Sequence, residues 1–360
     1  MIITHIIYSG LGGQGDYLFP LIKKINKKKL NDKHVIIFYG VENILLSYKV
    51  FCKENSIDFY FIKSDEAYSG FKYVKLLKKI QPEFIFVHTS VVFKSFLFCL
   101  INKSKVIFVD HASNNIKRIH DWLNLIFACL FYDKLIFLAK FHIEEIKNNV
   151  FFKIFKKKFR LVLPGIKLNE KKKKKFKLQK KNFIKIGMAS RFVDGKNHKN
   201  LIDCFEKMDK SLSQKIRLEL IGSGPNFDKI KNYIKKKSIN KNIHLLGFKD
   251  PRLMKDWYCS LDAYVHWTNG EVVSRSILEA MNNGVIILAS DIPSTREQLK
   301  NPIDCGILFK NKKEFVNKII KIHNEEFVIN KLRINCRKQI KVKYNLKIFV
   351  DKMNKIIEAN

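Results

Sequence analysis

Short apolar runs of strand length alternate with longer amphipathic stretches along the whole chain. Residues 3–9 (ITHIIYS), 34–40 (HVIIFYG), 84–88 (FIFVH), 106–111 (VIFVDH) and 134–139 (KLIFLA) are nearly continuous apolar runs. Runs of this kind fit strands buried on both faces. Between them, 17–29 and 91–101 carry helical periodicity. The alternation predicts a parallel sheet covered by helices on both sides. The pattern breaks at Pro164-Gly165, after which eight Lys crowd into residues 171–181 without an apolar period. Such a run of like charge reads as a linker or exposed loop. The alternation restarts at 183–190, 217–224, 242–248, 261–267, 284–290 and 305–309, and 344–358 has the look of a terminal helix. The fold class expected is α/β, with two doubly wound, Rossmann-like domains at 1–165 and 183–343. Residues 166–182 would link them, and 344–360 would pack back on the first domain. Open parallel sheets bind ligands outside the carboxyl ends of their strands. Two such domains facing each other would place both sets of strand ends on one cleft.

Composition narrows the class of function. The 360 residues are 46% hydrophobic, which excludes a disordered polyelectrolyte despite a formal net charge of +36. Of the basic residues, 60 are Lys and only 9 are Arg, in a chain also rich in Asn, Ile and Phe. That is the mark of AT-rich coding, and much of the charge then belongs to solvated faces. Readers of nucleic acid lean on Arg, so no nucleic-acid partner is expected. Two segments mixing Lys with apolar residues, 23–30 and 151–161, suit an anionic membrane surface. The seven Cys form no C-x-x-C, so neither a disulfide framework nor a zinc site is expected. The first residues lack the basic n-region of a signal peptide, and the apolar stretch 122–141 is broken by Asp133, Lys134 and Lys140. The expected location is cytoplasmic, with peripheral attachment to the inner face of the cytoplasmic membrane.

Several strand ends carry candidate chemistry. Gly10, Gly12, Gly13 and Gly15 fit G-x-G-x-x-G between a strand and a helix. Glu42 lies 27 residues beyond Gly15, further than the ribose-binding acid of a dinucleotide site. NAD binding therefore stays an alternative beside another phosphate or acceptor at this turn. Loop 190–200 presents Arg191 and Lys196 across a glycine, a possible diphosphate clamp. Glycines at 222 and 224 form a second strand-to-helix turn. Glu271 and Glu279 are eight apart, which puts Glu271 on the loop entering a helix and Glu279 about two turns inside it. Amides of Val272, Val273 and Ser274 would then point at a ligand. A carboxylate accepts from both hydroxyls of a ribose diol, and Glu279 in its apolar ILEAM setting needs a partner. Glu297 reads as a loop brace and His198 as a helix-start residue. His266 either lines a pocket or packs. His88 and His111 both follow apolar strands, and both are active-site candidates.

The ordered set GMASRFVDGKNHKNLI, LELIGSGP, IHLLGF, NGEVVSRSILEAMNNGVIILASDIPSTRE and CGILF resembles the GT4 family of retaining, nucleotide-sugar-dependent glycosyltransferases over about 125 residues. SGLGGQGDYLFPLI, VDHAS and LVLPGIK resemble the family's N-terminal half more loosely. The resemblance implies the GT-B fold, with the donor in the C-terminal domain and the acceptor in the N-terminal one. By position, Arg191 and Lys196 would hold the donor diphosphate and Glu279 the ribose. Glu271 would face the transferred sugar or the positive charge at its anomeric carbon, and His111, favoured over His88 by the VDHAS match, would lie beside the reacting sugar. Gly12 and Gly13 would approach the phosphate, and Gly247-Phe248 would lie near the base. The chain departs from the family at Val272, where Gly is frequent, and at Pro164, where Asn is. No D-x-D occurs, so neither a metal nor another cofactor is expected. The implied activity is hexosyl transfer from a nucleotide-diphosphate sugar, UDP rather than GDP, to a glycan or lipid-linked acceptor in surface polysaccharide or lipopolysaccharide synthesis. The alternatives are a GT-B nucleotide-sugar epimerase, an NAD-dependent oxidoreductase and a non-catalytic basic binding protein.

Overall fold

The computed structural model describes residues 1–10, 14–25, 32–65, 69–88, 104–169, 183–237, 240–324 and 328–358. Gly12, Gly13, the helical stretch 91–101, the Lys run 171–181 and residues 26–30 lie outside the described residues. The chain divides into two compact units, Met1–Lys167 with Asn345–Asn360, and Leu168–Tyr344.

The first unit is built on seven parallel strands: β1 (Ile2–Tyr8), β2 (Lys33–Gly40), β3 (Asp58–Lys63), β4 (Phe84–Val87), β5 (Lys105–Asp110), β6 (Lys134–Phe137) and β7 (Phe159–Leu161). Their order is β3-β2-β1-β4-β5-β6-β7. The central strands are buried throughout because helices cover both faces, and this is what their unbroken apolar runs encode. The edge strands β3 and β7 carry no such run. Asp58, Phe59 and Tyr60 are only partly covered, and β7 is three residues long in a Lys-rich stretch. Helix Leu346–Glu358 belongs to this unit, burying Phe349, Val350, Met353, Ile356 and Ile357. The Leu346 N–H donates to the Ile166 carbonyl at 3.1 Å. A Cβ on Gly165 would come within 2.7 Å of both the Asn345 carbonyl and the Leu346 Cα, which explains a glycine there.

The second unit has six parallel strands: β8 (Ile184–Ala189), β9 (Ile216–Ile221), β10 (Ile243–Gly247), β11 (Ala263–His266), β12 (Ile286–Ser290) and β13 (Ile307–Phe309). Their order is β10-β9-β8-β11-β12-β13. The chain joins this unit ahead of the Lys run. The Asn169 N–H donates to Asn282 Oδ1 at 3.0 Å, and Asn169 Nδ2 to Asn283 Oδ1 at 2.9 Å. Strand order reverses between β1 and β4 in one sheet and between β8 and β11 in the other. These switch points are where doubly wound sheets open a crevice for ligands.

Candidate functional site

At the switch point of the second sheet, the loops after β8, β9 and β10 are stitched together by backbone bonds. The Phe192 N–H donates to the Ser223 carbonyl at 2.9 Å, the Asn226 N–H to Phe192 O at 3.0 Å and the Gly222 N–H to Gly247 O at 2.9 Å. Gly222 and Gly224 have φ of +142° and +150°. A Cβ on Gly222 would lie 2.0 Å from the Ser190 carbonyl. The glycines of IGSGP thus let one turn press against the loop that carries Arg191. His198 stacks on Phe192 with ring centroids 4.0 Å apart and lies 3.0 Å from Ser190 Oγ. Burial and then Lys196 push its pKa down to about 4, so it is a neutral packing residue.

Lys196 closes a short turn before helix His198–Glu206, with Asn197 in the left-handed region at φ +49°. Its Nζ lies 3.1 Å from Glu271 Oε2 and 3.2 Å from Thr268 Oγ1. The Asn269 N–H donates to Gly195 O at 2.9 Å, and Asn197 Nδ2 to Asn269 Oδ1 at 2.6 Å, fixing one loop against the other. On the far side of Glu271, Oε1 is hydrogen-bonded to Nε2 of His266, the buried last residue of β11. The Tyr264 hydroxyl donates to the Ala189 carbonyl at 3.0 Å and lies 3.5 Å from His266 Nδ1. Burial alone would raise the Glu271 pKa, but His266 and Lys196 outweigh it and hold the carboxyl at about 2. Glu271 is therefore an anion at neutral pH, clamped from both sides.

Helix Arg275–Asn282 starts beside this cluster, capped by Ser274 Oγ on the Ile277 N–H at 3.3 Å. The amides of Glu271, Val272 and Val273 have no hydrogen-bond partner among the described residues, so a row of donors stands open at a helix N-terminus. The Ser274 amide, expected to point at a ligand with them, instead donates to Gln298 Oε1 at 2.9 Å, while Gln298 Nε2 donates to the Ser274 carbonyl. A buried side-chain amide satisfies both backbone groups and takes that N–H out of play. Val272 turns its side chain into the core and is not among the positive-φ residues, so the backbone there has no need of glycine.

Arg191 is partly exposed, and its guanidinium makes no ion pair among the described residues. Gly247 ends β10 at φ +67°, followed by an exposed Phe248. Glu279 differs from the expectation of a poorly solvated carboxylate. Its side chain is 34% exposed and takes Arg275 Nε at 3.2 Å. The apolar neighbours Leu278, Ala280 and Met281 face the core, and Glu279 lies on the helix edge between them. Glu297 is buried, with Lys343 Nζ 3.4 Å away. The structure thus brings together Lys196, Glu271, His266 and Thr268. Thr268 escaped sequence reasoning, and its only signal there is its place just past an apolar strand.

In the first unit, His111 follows β5, and its Nε2 lies 3.1 Å from Nδ1 of His88, which follows β4. Gln14 ties this region to β1. Its Oε1 accepts from the Tyr8 N–H at 2.7 Å, and its Nε2 donates to the His88 carbonyl at 2.5 Å. The loop bearing His111 is folded around a buried ion pair, Lys117 Nζ to Asp110 Oδ2 at 2.8 Å. Lys117 also donates to Ala112 O and Asn114 Oδ1 and contacts His142 Nε2 at 2.9 Å. Burial lowers the His111 pKa to about 4 against the opposing pull of Asp110. The Glu42 carboxylate packs over Gly10, 1.9 Å from where a Cβ would stand. Among the described residues, no group of three or more His, Cys, Asp or Glu is placed to hold a metal ion. No helix among them is long and apolar enough to cross a membrane.

Residues 169–343 match the family described as Glycosyl transferases group 1. The chain is 27% identical over 276 residues to an uncharacterised glycosyltransferase of Methanocaldococcus jannaschii, covering 71% of this chain and 68% of that protein. It is 24% identical over 260 residues to UDP-Gal:alpha-D-GlcNAc-diphosphoundecaprenol alpha-1,3-galactosyltransferase of Escherichia coli, covering 68% of this chain and 65% of that one. The second alignment thus spans just under two thirds of the relative. The fold matches that of Anabaena HepE, solved in complex with UDP-glucose, with a TM-score of 0.82, 15% identity and all of both chains covered.

Proposed function

We propose that this chain, whose residues 169–343 match the Glycosyl transferases group 1 family and whose fold is GT-B, transfers a hexose from a UDP-sugar, with retention and without a metal, to a glycan or lipid-linked acceptor of a surface polysaccharide. The observation that carries the reading is the ionised Glu271, clamped by Lys196 and His266 beside three open amides. Donor-diphosphate departure needs fixed positive charge and N–H donors aimed at the developing anion. Arg191, Lys196 and the amides of Glu271, Val272 and Val273 supply them. Lys196 exchanges part of its contact with Glu271 for the phosphates. Glu271, kept anionic, then faces the positive charge that grows at the anomeric carbon. Glu279 takes the ribose hydroxyls in competition with Arg275, and Gly247-Phe248 flank the base. By the family resemblance, His111 would face the reacting sugar, and Gly12 and Gly13, outside the described residues, would approach the donor phosphate. The names of the Escherichia coli relative and of the Anabaena complex support UDP as the carrier.

A thermal-shift panel with UDP, GDP, ADP and NAD, with and without EDTA, tests this. A ligand at a hundred times its Kd adds about 2.7 kcal/mol. UDP is expected to stabilise the protein, EDTA to change nothing, and Arg191→Ala to abolish the shift. Stabilisation by NAD alone would overturn the proposal.

The acceptor side is also assigned a membrane surface. Helix Ile119–Phe131 exposes Ile119, Leu123, Leu130 and Phe131, and the following segment exposes Val150 and Ile154 among Lys153, Lys156 and Lys157. Lys158 Nζ joins the two by donating to the carbonyls of Cys129 at 2.8 Å and Leu130 at 3.2 Å. Apolar side chains rimmed by Lys fit the headgroup region of an anionic bilayer, which supports peripheral attachment to the inner face of the cytoplasmic membrane. The protein is expected to float with phosphatidylglycerol vesicles at low salt and to be released at high salt. Equal flotation with neutral vesicles would count against the assignment.

A further inference from the structure

Four imidazoles line up across the first sheet: His34 in β2, His5 in β1, His88 after β4 and His111 after β5. Successive ring centroids are 5.3, 6.0 and 5.3 Å apart. Within this row, His88 Nδ1 and His111 Nε2 approach to 3.1 Å. One proton lies between them, and its owner is decided by the other nitrogens. His88 Nε2 is buried and has no hydrogen-bond partner among the described residues. A neutral imidazole carries one N–H. A buried N–H without an acceptor is rarer and costlier than a bare acceptor without a donor. His88 therefore keeps its proton on Nδ1 and donates it to His111 Nε2. Neither ring carries a second proton, because burial lowers both pKa values and two imidazolium ions would be in contact. His111 Nε2 is then a bare acceptor, and the only His111 proton sits on Nδ1, which bonds no described residue.

We infer that His88 is a positioning residue that locks His111 as its Nδ1–H tautomer, so that His111 meets its ligand as a hydrogen-bond donor to an oxygen and not as a base. The lock is rigid. The His88 N–H donates to Ile6 O at 2.9 Å, Gln14 holds its carbonyl, and Tyr17 packs edge-on against both rings at 5.9 and 5.5 Å. The titratable groups around the pair are His5 and Tyr17 on the His88 side, and Asp110, Lys117 and His142 on the His111 side. The catalytic consequence, though not the tautomer, rests on the reading of His111 as a residue that faces the reacting sugar.

The test is a long-range proton–nitrogen correlation spectrum of the full chain labelled with 15N-histidine, at pH 7.5. His111 is expected to show a protonated Nδ1 and an unprotonated Nε2. The reverse pattern, or a mixture of tautomers, overturns the inference. His88→Asn places an amide donor where Nδ1 was, and is expected to keep the His111 pattern and most of kcat. His88→Leu removes the donor, and is expected to mix the tautomers and lower kcat about 10- to 100-fold at nearly constant donor KM. An unchanged His111 pattern in His88→Leu would also sink the lock. A mixed pattern with unchanged transfer would leave the tautomer standing and remove His111 from the reaction.

Discussion

Lys196→Ala is expected to lower kcat by two to three powers of ten. Removing one electrostatic stabiliser of a developing anion costs about 3–4 kcal/mol, at about 1.4 kcal/mol per decade. Lys196 has two duties that a neighbour cannot assume. It is a cation at the mouth of the open amides, and it is one of the two groups that hold Glu271 ionised at about 2. Without it the carboxylate keeps only His266. Lys196→Arg is expected to recover little, because a planar fork cannot replace a compact ammonium set between Thr268 and Glu271. Glu271→Gln preserves volume and loses the charge, so its kcat is expected to fall comparably while stabilisation by UDP persists. The double variant should lose far less than the product of the two single losses, because the pair acts as a unit. Single-turnover kinetics with a UDP-sugar provide the readout. A Lys196→Ala enzyme within fivefold of the parent would refute this account.

The first unit is expected to unfold in mild acid, between about pH 6 and 4.5. His5, His34, His88 and His142 are buried in it. Burial is the main cause lowering each pKa: His34 and His142 to about 4, His5 and His88 well below the usual 6.5. In the unfolded chain they titrate near 6.5. The folded-state values are depressed, so the neutral forms are favoured by folding. Their stabilisation is complete above pH 6.5 and is lost as pH falls toward the folded-state values. Each group removes about 1.4 kcal/mol per pH unit in that window. Four together approach the whole stability of an ordinary domain within one to two units. Glu271, in the second unit, loses its stabilisation in the same direction, but only between about pH 4.5 and 2, below this window. Urea midpoints measured from pH 7.5 to 4.5 check this. His34→Gln is expected to flatten the slope, and an unchanged midpoint at pH 4.5 would contradict the argument.

The parts of the molecule legible in its sequence are those whose burial repeats within a few residues. β1 and β12 are covered on both faces, and ITHIIYS and VIILAS announce it. β3 was not legible because an edge strand sees the core on one side only, and Asp58-Phe-Tyr mixes the two surroundings. The glycines at 222 and 224 were visible as a turn. That they are required by the backbone of Ser190 and Phe192, some thirty residues away, was not. At the candidate site, Glu271 and Lys196 could be singled out by their loops. The expected set of three amides lost Ser274 to Gln298, a partner 24 residues on, which no local pattern reveals.

By itself, the sequence determined the two alternating α/β halves, the loops that follow their strands, and the charges those loops carry. These follow from local periodicity and from glycine and helix-start chemistry, which neighbours along the chain decide. Only the tertiary structure decided that Lys196 meets Glu271, 75 residues distant, that His266 closes the clamp, and that His88 faces His111. These pairings depend on sheet order. β8 lies beside β11, and β4 beside β5, so side chains at separate strand ends converge where the backbone brings parallel strands together.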